Sequence, residues 1–113
     1  MENKLIVSID DFKKLEIKIG HILSVEKIPD SEKLLKLSVD FGEDNPRQIV
    51  SGISKYFENT QDLVGKKCAF ATNLEPRTIF GSESHGMILA VSGGDYFSLL
   101  EAHSNVTPGS MVK

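Results

Sequence analysis

The sequence has only one cysteine, no excess of positive charge, and no apolar run near the length of a membrane span. A lone Cys68 cannot form an internal disulfide, which points to a reducing, cytoplasmic setting. Thirteen Lys and Arg against sixteen Asp and Glu give a net charge of −3, which argues against tight, indiscriminate nucleic-acid binding. It does not exclude an RNA partner recognised by shape through a few clustered cations. The first ten residues lack the charged start, apolar core and cleavage site of a secretion signal, and the short apolar runs predict no membrane partner. There is also no repeat, low-complexity tract or linker.

What is present fits one globular domain over residues 1–113, with 40% hydrophobic and 26% charged residues. Ser8, followed three residues later by Asp11, reads as a capping-box variant opening a short helix over Ile9 to Leu15. Ile17, Ile19, Leu23 and Val25 sit at even spacing and predict a strand, with Gly20 as the expected bend or bulge. Leu35, Leu37, Val39 and Phe41 alternate with Lys36, Ser38 and Asp40, the cleanest half-buried strand in the chain. Pro29 to Ser31 connects these two strands, and Gly42 to Pro46 is a polar turn before a third strand at Gln48 to Ser51. Thr60 to Gly65 fits one or two turns of capped helix. Lys67 to Thr72, Met87 to Val91 and Tyr96 to Leu100 are further strands, and Pro108 with Gly109 turns the chain towards Met111 and Val112. Five or more short strands with a helix between the third and fourth follow the order of an OB-fold, although other small barrels share this pattern.

The stretch NLEPRTIFGSESHGMILA, residues 73–90, has features of a phosphate loop, a catalytic serine and a nucleic-acid contact. Gly81 and Gly86 have the spacing of a phosphate loop, but Met87 and Ile88 stand where its lysine and hydroxyl are required. A nucleophile elbow at Ser84 would need glycine at position 82, where the chain has serine. His21, His85 and His103 are scattered and Cys68 has no partner at metal spacing, so neither a metal nor a cofactor is expected. The acid pairs Asp10 with Asp11 and Glu43 with Asp44 fall in helix-start and turn contexts. What remains is a loop whose Asn73, Arg77, Ser82 and Ser84 suit phosphate, sugar or base contacts, equally readable as a tight turn with one exposed arginine.

PDSEKLLKLSVDFG, RQIVSGI, LVGKKCAFATNLEPRTIFGSESHGMILA and VTPGSMVK, in this order, resemble the OB-type tRNA-binding domain. That domain is found at the C-terminus of bacterial methionyl-tRNA synthetases and as a free-standing dimeric tRNA-binding protein. The likeness runs from about Ile9 to Lys113. It implies an all-β fold with short helices: a five-stranded OB-fold barrel with a helix between strands 3 and 4, plus a C-terminal extension. It further implies a homodimer without an active site, holding the outside of tRNA regardless of anticodon and acting as an auxiliary to an aminoacyl-tRNA synthetase. Met1, with no linker ahead of the domain, favours the free-standing form.

Carried over by position, the implied tRNA-binding residues are Lys33, Arg47, Ser51, Asn73, Arg77 and Ser84. Lys33 and Arg47 would neutralise phosphates, Arg77 would meet a phosphate or a base, and Asn73 and Ser84 would bond sugar or base edges. Met87 reads more readily as barrel core than as a base contact, and Lys36, Lys66 and Lys67 are candidates for a positive rim or simply solvated strand ends. Thr78 stands where the family commonly has a second lysine. His85 replaces a common glutamate and would add charge, and affinity, in mild acid. Leu5 to Val7 and Phe97 to Leu100 are candidate dimer contacts, equally readable as barrel edges. The rival expectation is a chaperone-like protein-binding module of the same fold, whose members lack the RQIVSGI and NLEPR context.

Overall fold

The computed structural model describes residues 5–113. It contains one helix, α1 (Ile9–Lys13), and nine strands: β1 (Ile17–Lys27), β2 (Leu35–Asp40), β3 (Arg47–Ser51), β4 (Lys67–Ala71), β5 (Arg77–Ile79), β6 (Ser82–Ser84), β7 (Met87–Ile88), β8 (Ala90–Ser92) and β9 (Phe97–Leu99). Ser8 caps α1 as expected, its Oγ accepting from the Asp11 amide at 3.0 Å. Asp10 and Asp11 in the first turn and Lys13 in the last complement the helix dipole.

Five strands form an antiparallel sheet in the order β3-β2-β1-β4-β7, which curls into a nearly closed barrel of the OB type. The long β1 makes the curl possible because it serves two neighbours. Its Ile17–His21 half pairs with β4 and its His21–Lys27 half with β2. The register slips between Ile22 and Ser24, so the bulge lies at Leu23 and not at Gly20. Gly20 answers a packing need instead: a Cβ there would lie 2.5 Å from Val39 Cγ1 and 2.6 Å from the Phe41 ring.

β2 alternates as its sequence predicts, with Leu35, Leu37 and Val39 fully buried and Lys36, Ser38 and Asp40 half-exposed. These three pack with Ile22, Ile49, Ile88 and Phe70 into one core, where the Phe41 and Phe70 rings meet edge to face at 5.2 Å. The barrel closes by two hydrogen bonds onto the edge of β3: the His85 amide donates to the Gln48 carbonyl at 2.8 Å, and the Val50 amide to Ser84 Oγ at 2.9 Å.

Three expected elements differ. Between β3 and β4 lie two short 3-10 segments, Ser54–Tyr56 and Thr60–Leu63, in place of an α-helix. Val64 is already extended after four residues, and the cap is Asn59, whose side chain accepts from the Gln61 amide at 3.0 Å. The fifth barrel strand stops at Ile88, and Ala90–Ser92 turns away to pair with β9. The segment between β4 and β7 is not an open loop, because β5 and β6 pair within it as a hairpin.

The C-terminal extension covers free strand edges. Ala69 donates to the Leu100 carbonyl at 2.9 Å, alongside β4, and Gly109 to the Ile19 carbonyl at 2.7 Å, alongside β1.

Candidate nucleic-acid interface

The root of the β5–β6 hairpin is a dense polar junction. Arg47, at the start of β3, forks onto Glu43, with Nε to Oε1 at 2.9 Å and Nη2 to Oε2 at 2.7 Å. Its Nη1 donates to the Thr72 carbonyl at 2.6 Å and the His85 carbonyl at 3.2 Å, and the guanidinium carbon lies 5.4 Å from the centre of the Phe41 ring. Four of the five guanidinium N–H donors are therefore occupied. The hydrogen bond from Arg47 holds the Glu43 carboxyl below the usual carboxylate range, and the same bond raises Arg47 further above its already high value.

Two other expected contacts are engaged within the chain, Ser84 buried and Asn73 exposed. Ser84 is 2% exposed, and its Oγ both accepts from Val50 and donates to the Gly86 carbonyl at 3.0 Å. Asn73 ties the N-terminal segment to the barrel, its Oδ1 accepting from the Glu16 amide at 2.7 Å and its Nδ2 donating to the Lys14 carbonyl at 2.7 Å. Ser51, at the end of β3 opposite Leu35, is half-exposed.

Lys33 and Arg77 behave differently. Both are exposed, and neither forms an ion pair among the described residues. Lys33 belongs to the connection between β1 and β2, while Arg77 begins the β5–β6 hairpin opposite Ser84. A concavity of about 570 Å³ lies at the hairpin root, lined by Arg47, Gln48, Pro76 and His85. A second, of about 810 Å³, lies at the tip between Lys33, Lys55, Ile79 and Phe80.

Some expectations need correction. Met87 is 41% exposed rather than part of the core, because it leaves the barrel wall where Ile88 enters it. Lys66 and Lys67 do not extend the rim. Lys66 lies 3.4 Å from Glu101, and Lys67 Nζ donates to the Ser104 and Val106 carbonyls at 2.6 and 2.7 Å, fastening the C-terminal extension. His85 faces Glu83, with Nε2 2.8 Å from Oε1, so a charge there would first meet a carboxylate of its own chain. Of the candidate dimer contacts, Leu99 is 8% exposed in the core, while Leu5 and Ile6 are 97% and 96% exposed.

Gln48 and Phe80 were not singled out by sequence. Gln48 Nε2 donates to the Glu83 carbonyl at 2.8 Å, bracing the hairpin against β3. Phe80 followed by Gly81, two residues between short alternating segments, was the available signal for the turn.

The tRNA_bind family model, described as "Putative tRNA binding domain", matches residues 17–111. The chain belongs to this family. A methionine–tRNA ligase of Methanospirillum hungatei is 51% identical over 107 residues, covering 95% of this chain but 16% of the ligase. The chain thus spans about a sixth of the length of that relative. The structure of a MetRS related protein from Pyrococcus horikoshii superposes with a TM-score of 0.90 at 35% identity, covering 97% of this chain and 100% of that one. A chaperone CsaA from Bacillus anthracis superposes at 0.84 with 24% identity, over 96% of this chain and 100% of that one, a likeness of fold.

The geometry also bears on the rival chemistries. Gly81 to Gly86 spans a strand rather than a loop leading into a helix, unlike a phosphate loop. Ser84 Oγ is buried and bonded to backbone, and no group of three metal-binding side chains occurs among the described residues. Burial, with Glu101 nearby, pushes the Cys68 thiol up to about 12, so it is an inert core residue. No helix among the described residues is long and apolar enough to cross a membrane.

Proposed function

We propose that this domain binds folded tRNA by shape, without reading its anticodon, and serves in the cytoplasm as an auxiliary to an aminoacyl-tRNA synthetase of the methionyl type. The observation that carries this reading is the placement of Lys33 and Arg77 in a member of a tRNA-binding family. Both are exposed, neither is ion-paired among the described residues, and they sit on the two loops that flank an OB barrel's usual oligonucleotide face. Lys33 and Arg77 meet phosphates directly. Arg47 acts by holding the hairpin root, and Ser51 offers a hydroxyl at the end of β3. Asn73 and Ser84 act by fixing the loop. No chemical step is assigned to the domain.

A homodimer would present two such patches to one tRNA and raise the effective affinity of each. The exposed Leu5–Val7 segment and Leu100 are its proposed contacts.

The test is a titration of the protein with total tRNA and with single-stranded RNA of equal length, across a range of salt concentrations. Engagement of about three to five phosphates per subunit predicts a log–log salt slope of roughly −2 to −5 and preference for folded tRNA. Absence of binding at low salt, or equal affinity for the unstructured RNA, overturns the reading. Light scattering at micromolar concentration tests the dimer.

A further inference from the structure

The β5–β6 hairpin turns through two residues, Phe80 and Gly81, with Ile79 paired to Ser82 on either side. Both turn residues have positive φ, +52° for Phe80 and +83° for Gly81, as a type I′ hairpin turn requires. Gly81 suits such a turn. Phe80 does not, because a bulky side chain in the left-handed region is strained, and the first position normally holds Asn, Asp or Gly. Burial does not compensate for this strain, since Phe80 is 59% exposed at the hairpin tip. Strained residues of this kind cluster at ligand-binding and switch sites.

The surroundings indicate what that contact is. Phe80 and Ile79 form one wall of the concavity of about 810 Å³, opposite the segment Asp30 to Leu34 that connects β1 to β2. Lys33 and Lys55 line it together with Asp30 and Glu32, and neither lysine forms an ion pair among the described residues. An aromatic face beside two ammonium groups without carboxylate partners, Lys55 Nζ lying 5.3 Å from the centre of the Tyr56 ring, matches a nucleotide whose base has left its helix: the ring takes the base and the ammonium groups take the flanking phosphates. Asp30 and Glu32 balance the charge of the two lysines, which suits a single nucleotide better than an uninterrupted duplex backbone.

We infer that Phe80 is a stacking platform for one unpaired base of the bound tRNA, with Lys33 and Lys55 holding the adjoining phosphates. The inference rests on the tRNA-binding reading above and adds a base contact to it. The platform accepts any base, because every base has a stacking face, so it reads the presence of an unstacked nucleotide and not its identity.

The test compares the native protein with Phe80→Asn, Phe80→Leu and Phe80→Tyr, using total tRNA and a fully paired blunt RNA duplex as probes. Phe80→Asn creates the Asn-Gly pair that this turn favours, so its thermal midpoint should stay level or rise by a few degrees. Its tRNA affinity should nevertheless fall by about 10-fold, within the range expected for one lost base stack. Phe80→Leu, apolar but without a π face, should lose as much, and Phe80→Tyr should bind within about 2-fold of the native protein. Duplex binding should be weak and indifferent to all three. Unchanged tRNA affinity in Phe80→Asn, full binding by Phe80→Leu, or an equal loss on the duplex each overturns the platform while leaving tRNA binding intact. Failure of the native protein to bind tRNA at low salt removes both the reading and this inference.

Discussion

The two ends of the β5–β6 hairpin use polar and aromatic residues in opposite ways. At the root, Arg47, Asn73 and Ser84 direct their hydrogen-bonding atoms into the chain and leave little for a ligand. At the tip, Phe80, Lys33 and Lys55 have the reverse arrangement: exposed side chains, and lysines without ion pairs among the described residues. Buried polar atoms must be satisfied, so a fully bonded polar residue is evidence about the fold. An exposed aromatic in a strained conformation carries no such obligation, and it points to a contact outside the chain. By sequence, Arg47, Asn73 and Ser84 fall in one binding site with Lys33, and neither Phe80 nor Lys55 is included.

The largest predicted effect is at the root. Arg47→Ala removes four hydrogen bonds at once and leaves the carbonyl of buried Thr72 without this donor. The fold should lose about 2–3 kcal/mol, measured as a drop in the urea midpoint, and any loss of tRNA binding should follow from loosening of the hairpin. Arg47→Lys should recover less than half of this, because a single ammonium cannot hold the Glu43 fork and two carbonyls together. A stable Arg47→Ala with weakened tRNA binding would instead make Arg47 a direct phosphate contact and erase the contrast between the two ends.

How much of this could be read from sequence depended on the range of the interactions. The alternation along β2 and the Ser8 cap are local patterns, and both appear as expected. The barrel followed from strand order together with the family resemblance. The hairpin was missed because its strands are three residues long and its turn carries Phe-Gly where Asn-Gly would have announced it. The roles of Arg47 and Lys67 were hidden for another reason. Arg47 bonds carbonyls 25 and 38 positions away, and Lys67 bonds carbonyls 37 and 39 positions away, so only folding pairs a charged side chain with acceptors that any residue type supplies.

A smaller effect is expected midway along the same face. Arg77 lies at the base of the hairpin but is exposed and makes no ion pair among the described residues, so it shares its strand with the root and its chemistry with the tip. Arg77→Ala should weaken binding to all tRNA species alike by about 1–2 kcal/mol and flatten the salt slope by about one, with the urea midpoint unchanged. A shifted midpoint would assign Arg77 to the structural root, and an unchanged affinity would remove it from the interface.

The smallest effect concerns pH. Arg47 stays protonated throughout, so the Glu43–Arg47 pair titrates only through Glu43, whose carboxyl is held below its ordinary value of 4.5 in the folded chain. A carboxyl depressed on folding adds stability at pH values above its unfolded pKa, and that contribution disappears as the pH falls through the folded value. Because the Glu43 side chain is 36% exposed, solvent screening limits the gain to a few tenths of a kcal/mol. The difference in urea midpoint between the native protein and Glu43→Gln should therefore be constant above about pH 5.5 and shrink below about 4.5. No difference at any pH would show that Glu43 acts only as a hydrogen-bond acceptor, a role that Gln fills without charge. The root would then be held by Arg47's carbonyl contacts, with its charge free for a phosphate like the lysines at the tip.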